Sequence, residues 1–197
     1  MRAVRVAGFP PIARPDARVL VLGTMPSAAS LAAAEYYAHP RNAFWGVMGA
    51  LFGFDARAPY AERCAALRAA GVALWDVLGA CRREGSLDTA IEPETVVVND
   101  FAGFFAAHPE VARVFFNGGK AAELFRRHVG AAVLPAGVAA RRLPSTSPTN
   151  ARLRFAQKLE AWRVLADHLQ EEAPPCPLPS RSSPSTSSAR SSTGAAR

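Results

Sequence analysis

Long apolar runs are missing from this sequence. No stretch approaches the roughly 18 unbroken apolar residues of a membrane span, and the opening MRAVRVAGFPPIARPD lacks the continuous apolar core of a secretory leader. A cytoplasmic protein with no membrane-bound part is therefore expected. Cysteine is scarce too: Cys64, Cys81 and Cys176 form no CxxC pair and share no ligand spacing with histidine. That argues against a zinc site or an iron–sulfur cluster, and reduced thiols are the simpler reading. No metal and no cofactor is expected. Acids are also in deficit, 16 against 23 lysines and arginines, for a net charge of +7. The excess favours a polyanionic partner. Part of it sits at the end of the chain, where 173–197 carries Arg181, Arg190 and Arg197 and no acid, so the body is only mildly basic.

What is present suits one globular unit. Half of the 197 residues are apolar, enough for a single core, and no repeat of fixed period is visible. The expected organisation is one domain over 1–172, monomeric, followed by a Pro/Ser/Arg-rich tail over 173–197. The tail has too few large apolar groups to offset its ordering entropy and should be disordered.

The body alternates between two periods. The run 18–23, Arg-Val-Leu-Val-Leu-Gly, reads as a buried parallel strand that breaks on glycine. Similar runs occur at 72–78, 111–117 and 138–144. Between them, helical spacing of apolar residues predicts helices over 42–53, opened by Asn42 and closed by Gly53, and over 60–70, 100–108 and 118–128. A final helix is expected over 150–170, with Leu153, Leu159, Trp162, Leu165 and Leu169 along one stripe. Strands alternating with helices imply a three-layer α/β sandwich, with a mostly parallel central sheet covered on both faces.

In such a sheet, ligands bind beyond the carboxyl ends of the strands. The segment after the first strand reads Leu-Gly-Thr-Met-Pro-Ser over 22–27 and then Tyr-Tyr-Ala-His-Pro-Arg-Asn-Ala-Phe-Trp over 36–45. After the last strand comes Leu-Pro-Ser-Thr-Ser-Pro-Thr-Asn over 143–150. These two segments resemble the opening and closing motifs of the uracil-DNA glycosylase superfamily, and within it they are most similar to the hypoxanthine-DNA glycosylase family. The likeness spans roughly residues 18–170. A related branch, the mismatch-specific uracil and thymine glycosylases, shares the His-Pro-x-Asn-x-Phe-Trp string but has asparagine where Met25 stands here. A thioether neither orients nor activates water, so this difference turns the reading away from efficient uracil excision.

The resemblance implies a DNA glycosylase that flips a deaminated base from the duplex and hydrolyses its N-glycosidic bond. Hypoxanthine is the first candidate, with uracil or xanthine as further substrates, and DNA containing such bases is the partner. No lysine stands in either motif to form a Schiff base, so a monofunctional enzyme is implied. The resemblance makes Asn42 the catalytic residue, orienting water or donating to the departing purine in a dissociative mechanism; the alternative is that Asn42 only caps its helix. Thr24, Met25 and Pro26 would line the base, chiefly through backbone groups, with Ser27 near a phosphate. Tyr37 would stack on the base, unless it is a core aromatic. Asp76 would read the pairing edge, or else cap the turn after its strand. His39, Ser145, Thr146 and Ser147 would meet DNA, while Pro148, Thr149 or Asn150 would wedge into the gap left by the flipped nucleotide. Asn150 has a rival role as cap of the last helix. Ser86 and Asp88 are weaker candidates. Lys120, Arg141 and Arg142 are either backbone contacts or exposed charges. Three alternatives stay open: a mismatch-specific uracil-DNA glycosylase, a non-catalytic nucleic-acid binder on the same fold, and a hydrolase of free nucleosides.

Overall fold

A computed structural model describes residues 3–171; the tail expected over 173–197 lies outside the described residues. The chain opens with β1 (Val4–Ala7) and then β2 (Val19–Gly23), every residue of which is buried. Next come α1 (Ala28–Ala33), α2 (Phe44–Phe52) and α3 (Tyr60–Ala69). The strand β3 (Val72–Asp76) turns at Val77 into β4 (Leu78–Arg83). The remainder is β5 (Val97–Val98), α4 (Phe101–Ala107), β6 (Arg113–Asn117), α5 (Gly119–Leu124), β7 (Ala139–Leu143) and α6 (Phe155–Glu171).

The order β3-β2-β6-β7 makes a four-stranded sheet whose pairings are all parallel. Its central strands are continuous apolar runs because both faces are covered. Phe44 of α2 meets Trp162 of α6 edge to face, and its own neighbour Trp45 in the same way. Phe101 and Phe104 of α4, with Phe125 after α5, pack on Trp75 and Phe116 from the sheet. The expected α/β sandwich with a parallel sheet is what the chain builds.

A second sheet, β1-β4-β5, is antiparallel and was not foreseen. The sequence suggests one strand over 72–78, but the chain leaves the parallel sheet after Asp76 and continues as β4. Helix α1 was also missed. The last helix begins at Phe155 rather than at 150, so Asn150 does not cap it; its amide instead donates to the Ser145 carbonyl at 3.0 Å. Leu153 consequently falls before the helix.

Register lines up the strand ends. Gly23 stands opposite Asp76, and Asn117 opposite Leu143. The residues that leave these ends are the two motif segments.

Candidate active site

The pocket forms because two loops far apart in sequence close over the strand ends. The Ala43 N–H donates to the Thr146 carbonyl at 3.0 Å, tying the start of α2 to the closing loop. Asn117, at the end of β6, completes the join: its Nδ2 donates to Thr146 Oγ1 at 2.9 Å and its Oδ1 accepts from the Thr146 N–H at 2.8 Å. Thr146 is 0% exposed. Expected among the DNA contacts, it is instead the buried peg that positions the loop. From α6, Lys158 Nζ donates to the Ser147 carbonyl at 3.2 Å and Trp162 Nε1 to the Pro144 carbonyl at 2.9 Å. The loop is held by its backbone and by the inward Thr146 hydroxyl, while Ser147 Oγ and Thr149 Oγ1 lie 2.8 Å apart at its exposed edge.

Between these loops is a cavity of about 420 Å³, within the roughly 300–1,000 Å³ of small-molecule sites. Thr24, Met25, Pro26, Ser27, Tyr37 and Asn42 line one side. Asp76 and Asn117 lie among its other walls, with Ser145, Ser147 and Thr149 from the closing loop. Of the residues singled out in sequence, His39 is absent from this lining and faces a neighbouring cleft. Pro148 and Asn150 also lie off it. Ser27 caps α1, its hydroxyl accepting from the Ser30 N–H at 3.2 Å.

Gly23 permits the closest approach in the pocket. A Cβ there would collide with Asp76 Oδ1 and stand 2.8 Å from Tyr37 Oη. Tyr37 has a φ of 54°, a left-handed conformation that bulky residues seldom adopt and that costs on the order of 1–2 kcal/mol. One face of its ring stacks on Phe44, with centroids 4.2 Å apart. Burial, and then the Asp76 carboxylate, push its phenol well above the usual range, so the hydroxyl keeps its proton. Its neighbour Tyr36 is buried, with its hydroxyl donating to the Phe9 carbonyl at 3.3 Å.

Asn42 precedes α2 by two residues, so it is not a conventional cap. Its Oδ1 accepts from the Phe44 N–H at 3.0 Å, a local turn that opens the helix. Among the described residues no hydrogen bond engages Nδ2, so the donor half of the amide is the one left for a ligand.

Asp76 is 3% exposed, and its Oδ2 is buried without a hydrogen-bond partner. Its side chain caps no turn. Burial foremost, with the nearby Asp88 adding and Arg83 opposing, raises the carboxyl from 3.8 to about 8. At neutral pH it is a neutral acid carrying both a donor and an acceptor.

Sequence reasoning missed Arg83. Only 1% exposed, it donates from Nη2 to the Pro26 carbonyl, and its Nη1 lies 3.9 Å from Asp88 Oδ1. A buried guanidinium thus fixes the Met25–Pro26 turn from behind. Its signal in sequence was only an arginine among β4 residues, indistinguishable from a solvated charge. Asn117 carried no local signal for its role as the anchor of the closing loop.

Residues 10–166 match the Uracil DNA glycosylase superfamily. The chain belongs to that superfamily. Among curated relatives, a hypoxanthine DNA glycosylase of Methanosarcina acetivorans is 33% identical over 162 residues, covering 82% of this chain and 98% of the relative. A hypoxanthine DNA glycosylase of Methanosarcina barkeri is 38% identical over 117 residues, 59% of this chain and 73% of that one. A solution NMR structure from M. acetivorans, described as a uracil DNA glycosylase, superposes with a TM-score of 0.71 at 32% identity, covering 85% of this chain and 99% of its own. The resemblance carried by the two loops is thereby borne out. As a member of the superfamily, the chain is a DNA glycosylase of base-excision repair. No described helix is long and apolar enough to cross a membrane.

Proposed function

We propose that this glycosylase removes hypoxanthine from DNA in a monofunctional, dissociative reaction, with Asn42 as its catalytic residue and Asp76 reading the base. The observation that carries the reading is Asp76 Oδ2, a buried, unpartnered carboxyl oxygen in a cavity of single-base size, with the free Asn42 amide on the same lining. An unsatisfied buried polar atom costs roughly 1–3 kcal/mol, and a ligand that pairs with it recovers that cost.

A neutral carboxyl presents a donor beside an acceptor. This complements the carbonyl and N–H of the hypoxanthine N1/C6 edge, a pattern that xanthine and uracil share. Tyr37 supplies an aromatic wall for the flipped base. As the C1′–N9 bond breaks, its electron pair leaves with the purine, and Asn42 Nδ2–H meets the growing negative charge. Water delivers hydroxide to C1′ and its remaining proton passes to solvent, leaving an abasic site. Lys158 does not enter: its Nζ is held by the Ser147 carbonyl and it lies off the base pocket. Met25 supplies no water-activating group, which supports hypoxanthine over uracil. The hydroxyls of Ser145, Ser147 and Thr149 hold phosphates in this reading, and Pro148 and Asn150 are the candidates for the wedge.

The test is a panel of duplexes carrying deoxyinosine, deoxyuridine, deoxyxanthosine or a mispaired thymidine, scored for alkali-labile sites, with free deoxyinosine beside them. Deoxyinosine duplex should be cut fastest. Faster uracil release would favour the mismatch-specific reading, and binding without any abasic product would leave only a DNA-binding role.

A further inference from the structure

Next to the base pocket lies a second cleft of about 550 Å³, and Asn42 and Tyr37 belong to the lining of both. Its charge is more cationic than that of its neighbour, where Asp76 and Asp88 stand with Lys120. Arg41, Arg57, Arg63 and Lys158 line it, with Glu35 as its acid. Glu35 is spoken for: its carboxylate lies 3.1 Å from Arg63 Nη2, and Arg63 is further fixed over the Trp45 ring at 4.8 Å and on the Ala58 carbonyl at 2.9 Å. Arg41 and Arg57 are exposed, and among the described residues neither has an acid within ion-pair distance. Lys158 is only 5% exposed and spends one of its three N–H donors on the Ser147 carbonyl. A buried ammonium facing a cleft without a free carboxylate calls for an anion.

A second feature narrows the anion. Phe155, the first residue of α6, is 48% exposed at this cleft, with its ring edge against Gly46. Cations beside an aromatic face are the recurring means of gripping an unpaired nucleotide, the cations on the phosphate and the ring on the base. A simple inorganic anion has no use for the phenyl ring. The wall shared with the base pocket adds continuity, since a strand whose flipped residue occupies one hollow has its next residue within reach of the other.

We infer that this cleft is a second nucleotide subsite for the lesion strand. It receives the phosphodiester flanking the flipped residue on Arg41, Arg57 and Lys158, and the neighbouring base on Phe155. The inference rests on the glycosylase reading above.

Full-length protein would be titrated by fluorescence anisotropy with a duplex carrying a tetrahydrofuran abasic analogue, between about 50 and 200 mM salt. Each phosphate contact contributes about 0.9 to the slope of log affinity on log salt. R41A/R57A should lower that slope by about 2. R126A/R127A, which removes equal charge from the exposed turn after α5, should leave it unchanged. F155A should weaken binding about tenfold at every salt concentration, F155W should restore it, and neither should alter the slope. Equal slope losses in both double-arginine variants, or an unmoved slope in R41A/R57A, overturn the subsite; so does unchanged affinity in F155A. Competition by deoxyadenosine monophosphate at concentrations far below those needed to weaken a control protein would point to a free-nucleotide site instead and also overturn it. Because binding is read without turnover, failure of the deoxyinosine assay leaves this result separately readable.

Discussion

Two hollows share a wall in this molecule and are built for opposite ligands. The base pocket is walled by the buried Asp76 and Asn117 and the half-buried Asp88, with the buried Arg83 behind it and Lys120, paired to Glu123, at its edge. The cleft beside it carries uncompensated cations and an exposed ring. Carboxylates repel phosphate, and a neutral carboxyl suits an uncharged base. Arginines attract phosphate and cannot read a carbonyl beside an N–H with the same economy. Placing the two chemistries on either side of Asn42 sorts the parts of one nucleotide strand by charge before any bond is broken.

The sharpest way to break this contrast is at the shared wall. N42A should lower single-turnover excision of hypoxanthine by about 10²-fold or more, with DNA affinity retained. N42D keeps the Oδ1 that opens α2 but loses the amide donor. It should be as slow as N42A if donation to the leaving purine is the role, and near wild type if Oδ1 orients water. An unchanged rate in N42A would reduce the residue to a helix-starting turn.

Asp76 tests the neutral side. Because its folded-state value is raised to about 8 from 3.8, the fold holds this proton more tightly than the unfolded chain. Its contribution to stability is complete below about pH 4 and is lost as pH climbs to about 8. Excision should hold steady near neutrality and fall above about pH 8. D76N, neutral at all pH, should flatten that limb and melt higher than wild type in alkaline buffer. D76A should be slower by about tenfold throughout. An alkaline limb unchanged in D76N would assign the titration to another group.

The smallest expected effect concerns the anchor of the closing loop. N117A removes two hydrogen bonds to Thr146 and leaves buried polar atoms unmet, a loss of about 2 kcal/mol. For a domain of this size that corresponds to a melting temperature lower by about 4–8 °C, measurable by circular dichroism. No change would mean that Ala43 and α6 hold the loop without it.

The parallel sheet was legible because buried parallel strands are uninterrupted apolar runs, and the 18–23 run could serve nothing else. The antiparallel sheet was not, because Leu-Gly-Ala-Cys-Arg-Arg has neither a clean alternation nor an apolar run. Its last arginine is buried by a tertiary contact that no local pattern encodes. Helix α1 hid in a six-residue stretch beside conspicuous aromatics, too short for helical periodicity to register. In the site, Asn42, Tyr37 and Asp76 could be named from motif position, whereas the protonation of Asp76 depends on burial and on Asp88, which sequence does not display. Thr146 sat in a run of hydroxyl residues, and only the fold shows that one of them faces inward.

The hydrogen bond from Ala43 to Thr146 carries a mechanical consequence. The residue just before the donor is Asn42, and the residues flanking the acceptor are Ser145 and Ser147. In the proposed complex, a strand held on the serine hydroxyls would pull on the amide through one peptide unit. Grip on the backbone and aim at the glycosidic bond would then be set by the same small displacement.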